Sequence, residues 1–89
     1  MAVIVPMNIT YNFCMTPDEL EFRKIIALRL RVERTKKRLS QEALAEMVNV
    51  STKHYTKIEN SHTTPSSYLI YKLAQALEIS MDKLVKEVD

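Results

Sequence analysis

The 89-residue chain contains no glycine. Glycine has no Cβ, so it is the usual residue where the backbone enters the left-handed region, at tight turns and just past helix C-termini. A chain without it must avoid such turns or build them from residues that are strained there. The stretch 48–61, VNVSTKHYTKIENS, brings this constraint to one place, because it reads as a tight turn between two short helices. Asn tolerates the left-handed region better than any residue except Gly, so Asn49 is the expected turn residue.

The pattern from Thr16 onward is helical. Thr16-Pro17-Asp18-Glu19 is a strong helix start, with Thr as cap, Pro at the first helical position and Glu completing a capping box. A first helix over 17–37 would place Phe22, Ile26 and Leu30 inward. Ser40 can cap a second helix over 41–48, with Leu44, Ala45 and Val48 inside. Ser51 can cap a third over 52–60, with Tyr55 and Ile58 inside. A fourth helix over 66–77 buries Ile70, Leu73, Ala74 and Leu77, and Ser80 can cap a fifth over 81–88. Residues 3–13 differ: every odd position from Val3 to Phe13 is apolar, a period-two strand pattern that Pro6 limits to an edge or a bend. The expected fold is therefore all-α, five helices over 16–89 in one domain, preceded by a strand-like arm over 1–15.

Charge is unevenly placed. The chain carries a net +2, yet residues 23–38 hold eight Lys or Arg against Glu33 alone, a local +7. A basic block in a near-neutral protein is a footprint for a polyanion, although a solvated helix face gives the same signal. The lone Cys14 can form no intrachain disulfide. Residues 1–13 make a poor signal peptide, and no run approaches the ~20 apolar residues of a membrane span, so a cytoplasmic protein is expected. His54 and His62 lack zinc-site spacing, with Cys14 remote from both, and no nucleophile–base pair or phosphate loop stands out. No metal, cofactor or catalytic activity is expected.

The second and third helices, separated by Asn49-Val50-Ser51, have helix-turn-helix spacing. With Tyr55 and Ile58 inward, Thr52, Lys53, Thr56 and Lys57 fall on the outer face. Lys reaches guanine O6/N7 and Thr offers a hydroxyl or methyl, so such a face suits a major groove; any amphipathic helix also has a polar outside. From Ile26 to Val85 the chain resembles the lambda-repressor-like (XRE-type) helix-turn-helix family. The resemblance lies in Leu39-Ser40-Gln41-Glu42-Ala43-Leu44-Ala45-Glu46, Val50-Ser51, Lys57-Ile58-Glu59-Asn60, Pro65-Ser66, Lys72-Leu73-Ala74-Gln75-Ala76-Leu77 and Ile79-Ser80-Met81-Asp82-Lys83-Leu84. It implies a five-helix domain that binds pseudopalindromic operator DNA, usually as a homodimer, and regulates transcription, with repression expected ahead of activation. It puts Thr52, Lys53, Thr56 and Lys57 at base-reading positions. Gln41, Asn60, Ser61 and His62 match DNA-backbone positions, and Lys36 and Arg38 lie in a turn that runs near the sugar-phosphate chain. Arg34 and Glu59 match a partly buried ion pair. The alternative within the same resemblance is an antitoxin that binds a toxin protein and represses its own operon.

Departures from the family accompany these matches. Gly is common in the family at the positions of Asn49, Ser61 and Glu78, and frequent at Arg38. Asn49 is a conservative substitute; Ser61 and Glu78 are not, and other turn geometries are expected there. Tyr55 replaces Ile or Val and is expected to send its hydroxyl toward the DNA backbone or to tilt the third helix.

A lone strand leaves half its backbone groups unpaired. Nothing in 16–89 reads as a partner, so residues 3–13 are expected to pair with the same segment of a second chain and build the dimer. The competing dimer surface is Leu84, Val85 and Val88. Deleting residues 2–13 should leave a monomer that binds operator more weakly; a deleted chain still dimeric by light scattering would refute the pairing.

Overall fold

A computed structural model of the chain describes residues 17–85, and three serines set much of its layout. The helices are α1 Pro17–Lys36, α2 Gln41–Met47, α3 Thr52–Glu59, α4 Ser67–Leu77 and α5 Met81–Val85; among the described residues there is no strand. Ser40 Oγ accepts from the Ala43 amide at 2.9 Å, Ser51 Oγ from His54 at 3.0 Å and Ser66 Oγ from Leu69 at 3.1 Å. Each hydroxyl satisfies one of the amides that a helix N-terminus leaves without a partner. The arm expected over 1–15 and the Thr16 cap lie outside the described residues, as does the expected end of the fifth helix.

The core is built from the inner faces anticipated by periodicity, with Leu69 added. Ile26 and Leu30 of α1 meet Leu44, Ala45 and Val48 of the α2 segment, Tyr55 and Ile58 of α3, and Leu69, Ile70, Leu73, Ala74 and Leu77 of α4. Leu84 closes the cluster from α5, while Phe22 and Val85 are only partly buried against it. Fully burying one such Leu or Ile is worth about 1.5–3 kcal/mol. The small Ala45 is buried where α2 and α3 pack together. One cation enters this packing: Lys72 of α4 donates to the Val48 carbonyl at 2.7 Å, and its ammonium lies 5.0 Å from the centre of the Tyr68 ring. It satisfies a carbonyl at the C-terminus of α2, where positive charge is also favoured by the helix dipole.

The absent glycine has a specific consequence. Four non-glycine residues take left-handed angles, Arg38 at φ 60°, Asn49 at 63°, Ser61 at 64° and Glu78 at 62°. Each lies one or two residues past the end of a helix, and the hydrogen bonds around all four are alike. The next residue's amide reaches five residues back: Leu39 to Arg34, Val50 to Ala45, His62 to Lys57 and Ile79 to Ala74, at 2.8–3.1 Å. The left-handed residue's own amide reaches three back, to Thr35, Glu46, Ile58 and Gln75 respectively. These are Schellman motifs made without glycine. The expectation for Asn49 holds. The expectation that Ser61 and Glu78 use other geometries does not, because paired backbone groups and core contacts outweigh the ~1–2 kcal/mol that a Cβ costs in this region. Leu39, Val50 and Ile79, which follow three of these residues, pack on the core.

Ser61→Gly should therefore raise stability by about 0.5–1 kcal/mol, since relief of the Cβ clash exceeds the added unfolded-state entropy. Asn49→Gly should be neutral or mildly stabilising, and Asn49→Val should lose about 2 kcal/mol. Urea midpoints measure all three, and a silent Asn49→Val would remove the left-handed turn from the account.

Candidate nucleic-acid interface

Glu59 is the last residue of α3 and its side chain has no solvent exposure. A buried carboxylate must be neutralised and hydrogen-bonded. Arg34 of α1 does most of this, with Nε donating to Oε2 at 2.7 Å and Nη2 to Oε1 at 3.2 Å. The remaining nitrogen of the fork, Nη1, donates to the Leu39 carbonyl at 2.8 Å in the turn before α2. Gln41, the first residue of α2, donates from Nε2 to Glu59 Oε1 at 3.0 Å. The Tyr55 hydroxyl, one turn earlier on α3, donates to Oε2. Finally, Thr56 Oγ1 donates to Gln41 Oε1 at 3.1 Å. One carboxylate thus holds α1, the start of α2 and two consecutive residues of α3 in a single arrangement.

Burial by itself would raise the Glu59 pKa, but hydrogen bonds from Arg34, Tyr55 and Gln41, with the Arg34 charge, outweigh it and hold the carboxyl below its ordinary 4.5. The hydrogen bond to Glu59 raises Arg34 above its ordinary value against the effect of burial. Burial first, and then the Glu59 carboxylate, push the Tyr55 phenol far above its ordinary 10.0, so it remains a donor. The Tyr55 hydroxyl therefore points into this network, and not toward the DNA-backbone side as its replacement of an aliphatic residue suggested.

The outer face of α3 carries Thr52, Lys53 and Lys57, all exposed. Thr56 is half-buried, and its hydroxyl proton is engaged by Gln41. Of the backbone candidates, Lys36, Arg38, Asn60 and His62 are exposed, while Gln41 and Ser61 are half-buried. Lys36 also approaches Glu33 Oε2 at 3.5 Å. Sequence reasoning missed the joining of Gln41, Tyr55 and Thr56 to Glu59. A partial signal was present: Tyr55 and Glu59 are four apart and must share a helix face. No group of residues suited to a metal ion occurs among the described residues, and no described helix is long and apolar enough to cross a membrane.

Because the folded-state pKa of Glu59 is depressed, its contribution to stability is complete well above pH 4.5 and is lost as pH falls through the folded value. Glu59→Gln should lower stability near pH 7 by about 3–5 kcal/mol, because it leaves Arg34 without its counter-charge. It should also flatten the dependence of stability on pH below about 5. Urea unfolding from pH 3 to 7 tests both, and a variant with wild-type stability and an unchanged acid limb would show that the carboxylate is not the organising charge.

The helix-turn-helix family model HTH_3 matches residues 30–84, well over half of the chain. Among solved structures the chain is similar to a hypothetical transcription factor, NHTF, from Neisseria: TM-score 0.72 and 27% identity, covering 82% of this chain and 84% of that one. It is similar to the restriction-modification controller protein C.AhdI from Aeromonas hydrophila, with TM-score 0.71 and 34% identity over 75% of this chain and 97% of that one. A third similarity is to the clp gene regulator ClgR from Corynebacterium glutamicum, at TM-score 0.69 and 27% identity over 71% of this chain and 67% of that one. No curated protein sequence matches the chain significantly. The paired short helices, the Asn49 turn and the match across α2 to α5 agree, and the chain belongs to the lambda-repressor-like (XRE-type) helix-turn-helix family of DNA-binding transcription regulators.

Proposed function

We propose that the chain is a sequence-specific, cytoplasmic transcriptional repressor that binds a pseudopalindromic operator as a homodimer. The observation that carries this reading is the outer face of α3, where Thr52, Lys53 and Lys57 are exposed on a helix held from behind through Glu59. Side chains on a helix fixed before binding lose little orientational freedom on reaching base edges. Lys53 and Lys57 are one turn apart, so each can donate to a different guanine O6/N7 edge. Thr52 adds a hydroxyl. Thr56 donates its proton to Gln41 and so offers the groove its methyl, a partner for thymine. Gln41 keeps a second amide proton for a phosphate while Glu59 holds the first. Asn60, Ser61, His62, Lys36 and Arg38 extend the backbone contacts on either side.

Two such helices in a two-fold dimer would enter successive major grooves about 34 Å apart. The dimer would be built by residues 3–13; of the competing surface, Leu84 is spent in the core and Val85 is partly buried against it. The similarity to named regulators, one of which is covered over 97% of its length, supports a regulatory role for a domain of this size.

Selection of bound duplexes from a random pool should return a two-fold symmetric site. Lys53→Ala or Lys57→Ala should relax preference at one or two base pairs and cost roughly 1–3 kcal/mol on that site. Arg38→Ala should weaken all duplexes alike and flatten the salt dependence. Equal losses on selected and random duplex for the α3 lysines would show that they touch only phosphate, and a chain that selects no sequence would defeat the proposal.

A further inference from the structure

A shallow groove of about 350 Å³ runs between α1 and the turn after α3, lined by Lys24, Ala27, Leu28, Arg31, Asn60 and Ser61, with Glu59 at its base. Lys24 and Arg31 are seven residues apart, two turns along one face of α1, and Ala27 between them keeps the floor low. Lys24 is exposed and has no acidic partner among the described residues. Arg31 is 57% exposed and its Nε stands 3.8 Å from Glu59 Oε1. That carboxylate already holds two hydrogen bonds from Arg34 and one each from Gln41 and Tyr55. Arg34 balances its charge, so the Arg31 charge is in excess.

We propose that this groove is a second docking site for the sugar-phosphate backbone, in which Lys24 and Arg31 each meet a phosphate beyond those reached by the helix-turn-helix itself. The proposal rests on the DNA-binding reading above and extends its footprint onto α1. Position is the argument for DNA as the occupant. The groove shares Asn60 and Ser61 with the turn that leaves α3, and Arg31 approaches the same Glu59 oxygen that anchors Gln41 at the start of α2. It therefore lies between two points of the surface that faces the backbone. Amides of Asn60, Ser61 and His62 are engaged within the turn, by Thr56, Ile58 and Lys57 carbonyls, so the ligand must be held by side chains. Two long cations beside two short polar side chains suit phosphate oxygens.

The test is the salt dependence of binding by the full chain to one selected duplex and one random duplex. Each phosphate contact contributes about 0.9 to the slope of log affinity against log salt. Lys24→Gln and Arg31→Gln should each lower that slope by about 0.9 on both duplexes, so that the affinity lost between 50 and 200 mM salt shrinks about 3.5-fold per substitution. Lys24→Arg should keep the wild-type slope, and base preference should not change in any variant. Among the described residues the Lys24 side chain has no hydrogen bond or ion pair that its replacement would break, so its variant reports on binding even if Arg31→Gln disturbs Glu59. Unchanged slopes in a chain that still binds its selected site would overturn the groove and leave the DNA reading standing. A lower oligomer mass at an unchanged slope would reassign the groove to a subunit contact. Wild-type protein with no salt-sensitive affinity for any duplex would defeat both.

Discussion

The carboxylate of Glu59 is the charge around which the helix-turn-helix is assembled. It sits without solvent exposure at the end of α3, and it is held by α1 through Arg34, by α2 through Gln41 and by its own helix through Tyr55. Removing such a charge from water costs several kcal/mol, so a buried ion pair adds little net stability compared with apolar residues of the same shape. What the pair does impose is geometry. Only one placement of α3 relative to α1 and α2 satisfies every donor, and among the described residues no buried side-chain polar atom is left without a partner. Apolar packing of Tyr55 and Ile58 would tolerate a rotation of α3 by a few degrees; the forked hydrogen bonds from Arg34 do not. The direction in which Lys53 and Lys57 leave the surface is fixed by an interaction on the opposite side of their helix.

The same division between packing and geometry governs the turns. Left-handed backbone at Arg38, Asn49, Ser61 and Glu78 runs against local preference, and it persists because surrounding contacts favour it. Leu39, Val50 and Ile79 each follow a left-handed residue and pack on the core, so the chain reversal itself buries apolar surface. The turn after α3 is the exception, since Ser61 is followed by exposed His62. That connection is anchored further on: Thr64 accepts from Arg23 Nε at 2.7 Å and donates to Glu19 at 2.8 Å, tying the loop to the first turns of α1. The segment nearest the proposed backbone contacts is thus fastened by polar bonds at Thr64, next to the buried Pro65.

What the sequence made legible follows from how local each feature is. The Ser40 and Ser51 caps and most of the inner faces of the helices depend on residues within one or two turns, and these were readable. Asn49 was readable because helix-turn-helix spacing demands a left-handed residue and Asn is the best available. Ser61 and Glu78 were not, since nothing local favours the angles they adopt; hydrogen bonds back across the preceding turn and, for Glu78, core packing of the following Ile79 decide them. Thr56 shows the limit most clearly. Period alone puts it on the outer face with Thr52, Lys53 and Lys57, but Gln41 from another helix lies beside it and accepts its hydrogen bond. The strand-like pattern of residues 3–13 lies outside the described residues and stays an expectation.

The basic block of residues 23–38 is largely architecture, which changes what its +7 means. Arg34 is engaged by Glu59, and Arg29 by Glu33 and by the Lys83 carbonyl at 2.9 Å, which ties α1 to α5. Arg23 holds Thr64, with Glu19 at 3.7 Å. These arginines have 15–19% of their side-chain surface exposed, so their charges are largely committed to the fold. Lys36 and Lys37 also have acidic partners, but they and the Glu78 partner of Lys37 are well exposed, and surface pairs of that kind are worth about 0–1 kcal/mol and exchange easily. The cations left to meet a polyanion are therefore Lys24, Arg31 and Arg38, with Lys36 and Lys37 in reserve. A salt slope scaled to all eight residues would overstate the number of phosphates this face can hold, because counterion release counts only charges that reach the DNA. Arg23, Arg29 and Arg34 build the domain, and the more exposed cations beside them supply its electrostatic surface.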